Sequence, residues 1–236
     1  EHNTKEKIMS ILDQQVSSQS SSDGRSIINE ITKHKVLKNT YMLLALTLLF
    51  TAVTAAVSVS LALPRFGILI TLGGYFGLLF LTNRLKNSVW GLASVFALTG
   101  FMGLTLGPML SHYLSMANGS SIVMTAFGMT AFIFMGLSAY VLVTKRDFSF
   151  LGGMLFAGLV VVVIASIAAY FLQMPGLSLA ISAAVVLLMS GLILFETSNI
   201  LNGGETNYIM ATVGLYITIF NLFTSLLHLL GIADGD

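Results

Sequence analysis

Seven long apolar segments dominate this chain and decide what it can fold into. They lie at Leu43–Leu63, Phe66–Thr82, Val89–Leu110, Ile122–Thr144, Leu151–Leu172, Leu179–Leu201 and Tyr208–Leu230. A helix needs about 20 apolar residues, at about 1.5 Å per residue, to cross a bilayer. Six segments reach that length, and Phe66–Thr82 lies at the short limit. The pattern therefore predicts an all-α integral membrane protein, a bundle of seven transmembrane helices.

Composition excludes the main alternative, a soluble globular domain. Hydrophobic residues make up 56% of the chain and charged residues 9%, whereas soluble domains carry about 25% charged residues. The chain contains no cysteine, which excludes disulfides and thiolate metal sites. We expect membrane lipid, and not nucleic acid, to be a partner.

Residues 1–40 differ from the rest and are predicted to form a cytoplasmic tail ahead of a transmembrane domain at 41–232. Ser17–Gly24 is serine-rich, which is typical of a flexible linker. Short amphipathic stretches flank it, and the second of them mixes apolar residues with lysines. Those lysines either contact anionic headgroups or act as ordinary flanking charge that fixes orientation. The tail has no apolar core of a signal peptide, so we expect none to be cleaved.

Basic residues predict the orientation of the bundle. Of the 11 Lys and Arg residues, only Arg65 lies on the side opposite the N-terminus once seven spans are drawn. Cytoplasmic loops carry an excess of Lys and Arg. We therefore expect a cytoplasmic N-terminus and a short periplasmic tail at 233–236.

Glu196 is the one acidic residue inside an apolar segment. Near the end of its span, it is either an interfacial carboxylate that snorkels to water or an inward-facing, partly desolvated acid able to sense pH or bind a cation. Thr218 and Asn221 share a face of the last segment and are candidate hydrogen-bond donors to it.

No catalytic site is expected. The sequence from Gly136 to Ala139 only partly matches the GxSG motif of rhomboid intramembrane proteases, because the second glycine is absent. A dyad of Ser138 and His228 is therefore not favoured. There is also no HExxH motif and no phosphate-binding glycine loop, and we expect neither a metal nor a cofactor.

Two glycine pairs, Gly73-x-x-x-Gly77 and Gly103-x-x-x-Gly107, have the spacing that permits close approach of helices. Packing is the favoured interpretation of both pairs, and flexible hinges are the alternative. The prolines are expected at or near helix ends.

Several stretches together resemble the Bax-inhibitor-1 (transmembrane Bax inhibitor motif) family. They are HKVLKNTYMLLALTLLFTAVTAA, TGFMGLTLGPML, KRDFSFLGGMLFAGL and LFETSNILNGGETNYIMATVGLYITIFNLFTSLLHLLG. The resemblance implies seven helices with the seventh in a central position. It also implies that Glu196 is the first member of an acid pair. Thr218 stands where the second acid, an aspartate, would be.

The resemblance is closest to bacterial members that modulate the membrane-anchored AAA protease FtsH. It implies an inner-membrane partner, substrate and inhibitor of FtsH, in contact with the protease and its membrane regulatory complex. The tail would engage the protease, through residues that include Ile8, Ile11, Leu12, Arg25, Lys33 and Lys35. The alternative that the resemblance implies is a pH-sensitive leak for Ca²⁺ or H⁺ through the site at Glu196.

Overall fold

The computed structural model describes the backbone of residues 2–172 and 175–233, and side chains from residue 30 on within those ranges, apart from 170 and 175. Seven helices follow one another: α1 His2–Ser60, α2 Ile68–Leu85, α3 Trp90–Leu114, α4 Gly119–Thr144, α5 Gly152–Leu172, α6 Pro175–Asn202 and α7 Tyr208–Ala233. A short 3-10 turn at Ser149–Leu151 precedes α5.

All seven helices are long and apolar enough to cross a membrane, which confirms the predicted class. The chain is therefore a multi-pass membrane protein. The predicted boundary between a tail at 1–40 and a transmembrane domain at 41–232 lies within helix α1, which runs through it without interruption. Helix α1 continues back to His2 through the stretch predicted as a flexible linker, and no proline occurs before Pro64 to interrupt it.

The helix ends define two faces of the bundle. The basic face, where α2 and α4 end, carries Arg84, Lys86, Lys145 and Arg146. The far face lies at the other end of the helices and includes Arg65 in the connection from α1 to α2. Glu196 lies six residues from the end of α6, about 9 Å from the basic face at the helical rise per residue.

Helix α7 packs against α1, α3, α4 and α6, whereas α2 packs mainly on α3 and α5 on α6. Helix α3 buries a larger share of its most apolar stretch than α7 does. The predicted central position of α7 is therefore not confirmed. The most closely associated pair of helices is α1 and α3.

The two glycine pairs have opposite environments. Gly103 and Gly107 face α1, where added Cβ atoms would collide with Thr54 and Ser58. Gly73 and Gly77 face open space, with no atom within 4 Å of an added Cβ. The prediction of close packing is thus confirmed for the pair on α3 and wrong, within the described chain, for the pair on α2.

Pro108 lies inside α3, six residues before its last residue, rather than at its end. A proline cannot donate to the carbonyl four residues before it, which leaves the Leu104 carbonyl without its helical donor. Ser58 Oγ of α1 donates to that carbonyl at 2.8 Å. The hydrogen bond that Pro108 removes from α3 is therefore replaced by one from α1, and backbone carbonyls in lipid need such a partner.

Candidate functional site

The carboxylate of Glu196 joins α6 to α7. Thr218 Oγ1 donates to Glu196 Oε2 at 3.0 Å, and Thr218 is buried while Glu196 is partly buried. Gly214, one turn earlier on α7, leaves room for the carboxylate, because an added Cβ there would lie 3.0 Å from Glu196 Oε1. The sequence prediction that Glu196 and Thr218 lie together agrees with this geometry.

Thr197 joins α6 to two other helices. Its buried hydroxyl lies 3.3 Å from the hydroxyl of Tyr41 on α1 and 3.3 Å from that of Ser138 on α4. Successive helical residues point about 100° apart, so Glu196 and Thr197 reach different neighbours. The residues Glu196 and Thr197 therefore connect α6 to α1, α4 and α7.

Ser198 connects α6 to the turn after α4. The Phe148 backbone N–H donates to Ser198 Oγ at 2.9 Å, and Asn202 Nδ2 donates to the same oxygen at 3.1 Å. Asp147 in that turn accepts from the Ser149 backbone N–H at 2.9 Å. This hydrogen bond, aided by the hydroxyls of Ser149 and Ser198, holds the pKa of Asp147 below its usual value.

Among the described hydrogen bonds, none joins the Asn221 side chain to this cluster. Its Nδ2 donates to the Ile217 carbonyl of its own helix at 2.8 Å. The two residues Thr218 and Asn221 share a broad face of α7, but the structure brings only Thr218 to the carboxylate. The predicted donation from Asn221 to Glu196 is therefore absent from the described hydrogen bonds.

The chemistry of the site is that of one carboxylate with one neutral donor. It can hold or release a proton. A divalent cation prefers several oxygen ligands with more than one carboxylate, and no group of three His, Cys, Asp or Glu residues occurs among the residues the structure describes. The site thus offers no second acid where the resemblance places one, at Thr218.

The predicted tail residues fall partly within the described side chains. Lys33 forms an ion pair with Glu30 at 3.6 Å, and its side chain packs over Gly203 after α6, while Lys35 is exposed. Gly203 has a positive φ of 78°, which suits glycine at a helix end. The side chains of Ile8, Ile11, Leu12 and Arg25 lie outside the described part.

Sequence reasoning missed a second polar cluster on the far face. The ring of His228 on α7 lies 3.2 Å from the Tyr113 hydroxyl of α3 through Nδ1 and 2.9 Å from Ser178 Oγ of α6 through Nε2. Ser138 lies near the basic face instead, in contact with Thr197. The residues of the unfavoured dyad, Ser138 and His228, are thus near opposite ends of the bundle.

Comparison with known proteins gives consistent results. A family profile described as "Inhibitor of apoptosis-promoting Bax1" matches residues 33–235. The chain is 55% identical to "Modulator of FtsH protease YccA" of Escherichia coli K12 over 217 residues, which is 92% of this chain and 98% of that protein. The "Inner membrane protein YccA" of E. coli O6:H1 shows the same identity and coverage.

A more distant relative extends the same pattern. It is an "Uncharacterized membrane protein" of Vibrio cholerae, 43% identical over 212 residues, with 89% of this chain and 95% of that protein covered. The profile match spans most of the chain and includes α1 from residue 33 and the whole of α2 to α7. The chain therefore belongs to the Bax inhibitor-1 family.

Proposed function

We propose that this protein resides in the bacterial inner membrane, where it binds a membrane-anchored FtsH protease and inhibits it. The supporting observation is the 55% identity over 98% of the relative named as modulator of FtsH protease. A second relative of the same identity is named as an inner membrane protein. The alignment covers nearly the whole of that relative and 92% of this chain, so it takes in most of the transmembrane bundle.

The physical basis of the inhibition is competition by a slow substrate. An ATP-driven protease begins extraction by pulling a segment outside the membrane, and the predicted tail at residues 1–40 precedes the first apolar segment. Seven packed helices then resist removal from the lipid. A substrate that engages readily and is extracted slowly occupies the protease and protects its other substrates.

Co-purification tests the partner. The tagged full-length protein, solubilised in mild detergent, is expected to bring down FtsH, and the membrane regulatory complex of the protease is expected with it. An unrelated seven-helix protein of similar size serves as the control. Recovery of FtsH equal to that control, measured by quantitative mass spectrometry, contradicts the proposal.

The N-terminal handle predicts a longer lifetime for a truncated protein. Removal of residues 1–24 takes away Ile8, Ile11 and Leu12 and shortens the tail ahead of the first apolar segment. We expect the half-life in a pulse-chase experiment to rise several-fold in cells with active FtsH. Cells with an inactive protease are the matched control, and there the two proteins should decay equally. An unchanged half-life in active cells rejects the handle.

The handle also requires a cytoplasmic N-terminus. We expect a C-terminal alkaline phosphatase fusion to be active and a C-terminal green fluorescent protein fusion to be dark, because 10 of the 11 Lys and Arg residues lie on the side of the N-terminus. The same two reporters at the N-terminus should give the reverse result. Both ends in one compartment contradict the predicted seven crossings.

A calcium leak is not the favoured function of the site at Glu196. Thr218 supplies a neutral hydroxyl at 3.0 Å where a second carboxylate would strengthen a divalent cation site. We propose instead that Glu196 and Thr218 hold α6 to α7. Liposomes with the purified protein should take up Ca²⁺ no faster than empty liposomes between about pH 5 and 8.

A further inference from the structure

Helix α1 forms hydrogen bonds with neighbouring helices at three heights along its membrane-spanning part. Near the basic face, Thr212 Oγ1 of α7 donates to the Thr40 carbonyl at 3.2 Å. Near the middle, Thr51 Oγ1 lies 3.0 Å from the Thr99 carbonyl of α3 and 2.8 Å from the hydroxyl of Tyr216 on α7. Near the far face, Ser58 Oγ donates to the Leu104 carbonyl at 2.8 Å.

These contacts, called here the α1 clamp, also fix the register of α1 against α3. Gly103 and Gly107 admit the side chains of Thr54 and Ser58, so that polar groups of α1 sit against backbone of α3. A shift of α1 by one turn, about 5.4 Å, separates every bonded pair at once. No water is present in the hydrocarbon to take the place of the lost partners.

The proposed function makes α1 the first helix that the protease pulls. Its displacement requires the α1 clamp to open before α2 or any later helix bears load. We propose that the α1 clamp sets the rate of extraction and so makes this protein a slow substrate and an inhibitor. This inference rests on the proposed function and names the contacts that regulate it.

Global stability is the competing explanation. If unfolding of the whole bundle limits the rate of extraction, substitutions that destabilise the bundle equally accelerate extraction equally, wherever they lie. If the α1 clamp controls the rate, only substitutions that remove its cross-helix hydrogen bonds accelerate extraction. The chain offers a matched comparison, because Leu155 of α5 is buried against Gly191 of α6, away from α1.

The experiment uses the full-length protein and FtsH in proteoliposomes with ATP. Two test variants, Thr51→Val and Ser58→Ala, remove cross-helix hydrogen bonds at nearly constant volume. Two substitutions serve as controls. Ser60→Ala removes a hydroxyl that donates to the Val57 carbonyl within α1 at 2.9 Å, and Leu155→Ala weakens the packing of α5 against α6. A third variant, Thr51→Ser, keeps the hydroxyl and should be degraded as slowly as the natural protein.

Each test variant should be degraded about threefold faster than the natural protein, the factor that corresponds to an average interhelical hydrogen bond in a membrane. The double variant should be degraded about ninefold faster, the product of the two single effects, and a second membrane substrate in the same liposomes should regain its own degradation. Ser60→Ala and Leu155→Ala should leave both rates unchanged, although thermal unfolding shows Leu155→Ala to be less stable.

Other outcomes separate the two proposals. If the natural protein neither is degraded nor slows the second substrate, the proposed function fails and this inference fails with it. If it does both, but the Thr51 and Ser58 variants match its rate, the α1 clamp is overturned and the proposed function stands. An acceleration by Leu155→Ala equal to that of the double variant likewise overturns the α1 clamp in favour of global stability.

Discussion

Replacement of Gly103 by alanine is expected to destabilise the bundle, whereas the same replacement at Gly77 is expected to stabilise it slightly. An added Cβ at Gly103 would lie 2.6 Å from the Thr51 carbonyl oxygen, and a helix backbone cannot yield by rotating a side chain. Overpacking of this kind costs about 1–3 kcal/mol. At Gly77 no atom lies within 4 Å of an added Cβ, so only the gain in helix propensity, about 0.5–1 kcal/mol, remains.

The measurement is unfolding in detergent micelles, followed by far-UV circular dichroism against a denaturant. Gly103→Ala should lower the free energy of unfolding, and Gly77→Ala should raise it or leave it unchanged. Each of the two variants is a control for the other, since both replace a glycine by alanine within a transmembrane helix. Equal losses at the two positions would show that the open face of α2 is covered by another molecule in the micelle.

The contrast between these glycines also shows that glycine spacing alone does not predict which side of a helix packs against protein. The spacing of Gly73 and Gly77 equals that of Gly103 and Gly107, and it establishes only that each pair shares one side of its helix. In water the apolar side of a helix points to the core. In lipid both sides are apolar, so the sequence does not reveal which side meets protein and which meets the bilayer.

The spans themselves were predictable because bilayer thickness imposes their length. The predicted segments from Val89 to Leu230 match α3 to α7 within a few residues at each end. The continuation of the helix ahead of the first apolar segment was not predictable in the same way, since residues 30–40 mix basic and apolar side chains. There the structure continues the helix, with Val36 and Thr40 buried against the bundle.

The candidate site was partly predictable. An acid in an apolar segment must find a donor, and Thr218 was one of two candidates on the facing helix. The choice between Thr218 and Asn221 depended on side-chain direction, because both lie on a broad face of α7. The hydrogen bond from Ser58 to α3 could have been expected on one ground: Pro108 leaves a carbonyl of α3 without its helical donor, so a donor from a neighbouring helix is needed.

Replacement of Thr218 by aspartate is expected to make the stability of the bundle strongly dependent on pH. Thr218 Oγ1 lies 3.0 Å from Glu196 Oε2, so the new carboxyl group would face the existing one at short range. At low pH one proton is shared and the protonated acid donates to the carboxylate, much as threonine does. At high pH both groups ionise, and their repulsion is on the order of 4 kcal/mol for charges about 4 Å apart at an effective dielectric constant of about 20.

The direction of the change in stability with pH depends on whether the folded or the unfolded state contains the repulsion between the two carboxylates. In the unfolded chain the two carboxylates are far apart, so ionisation of the second one disfavours only the folded state, and stability falls as pH rises. Thr218→Asn is the matched control, since it has the size of aspartate and no charge, and Glu196 keeps its own titration in it. Thermal unfolding between about pH 5 and 9 should show the aspartate variant losing stability relative to the asparagine variant as pH rises. Parallel curves for the two variants would mean that position 218 does not face the carboxylate of Glu196, and the contact between α6 and α7 would have to be placed elsewhere.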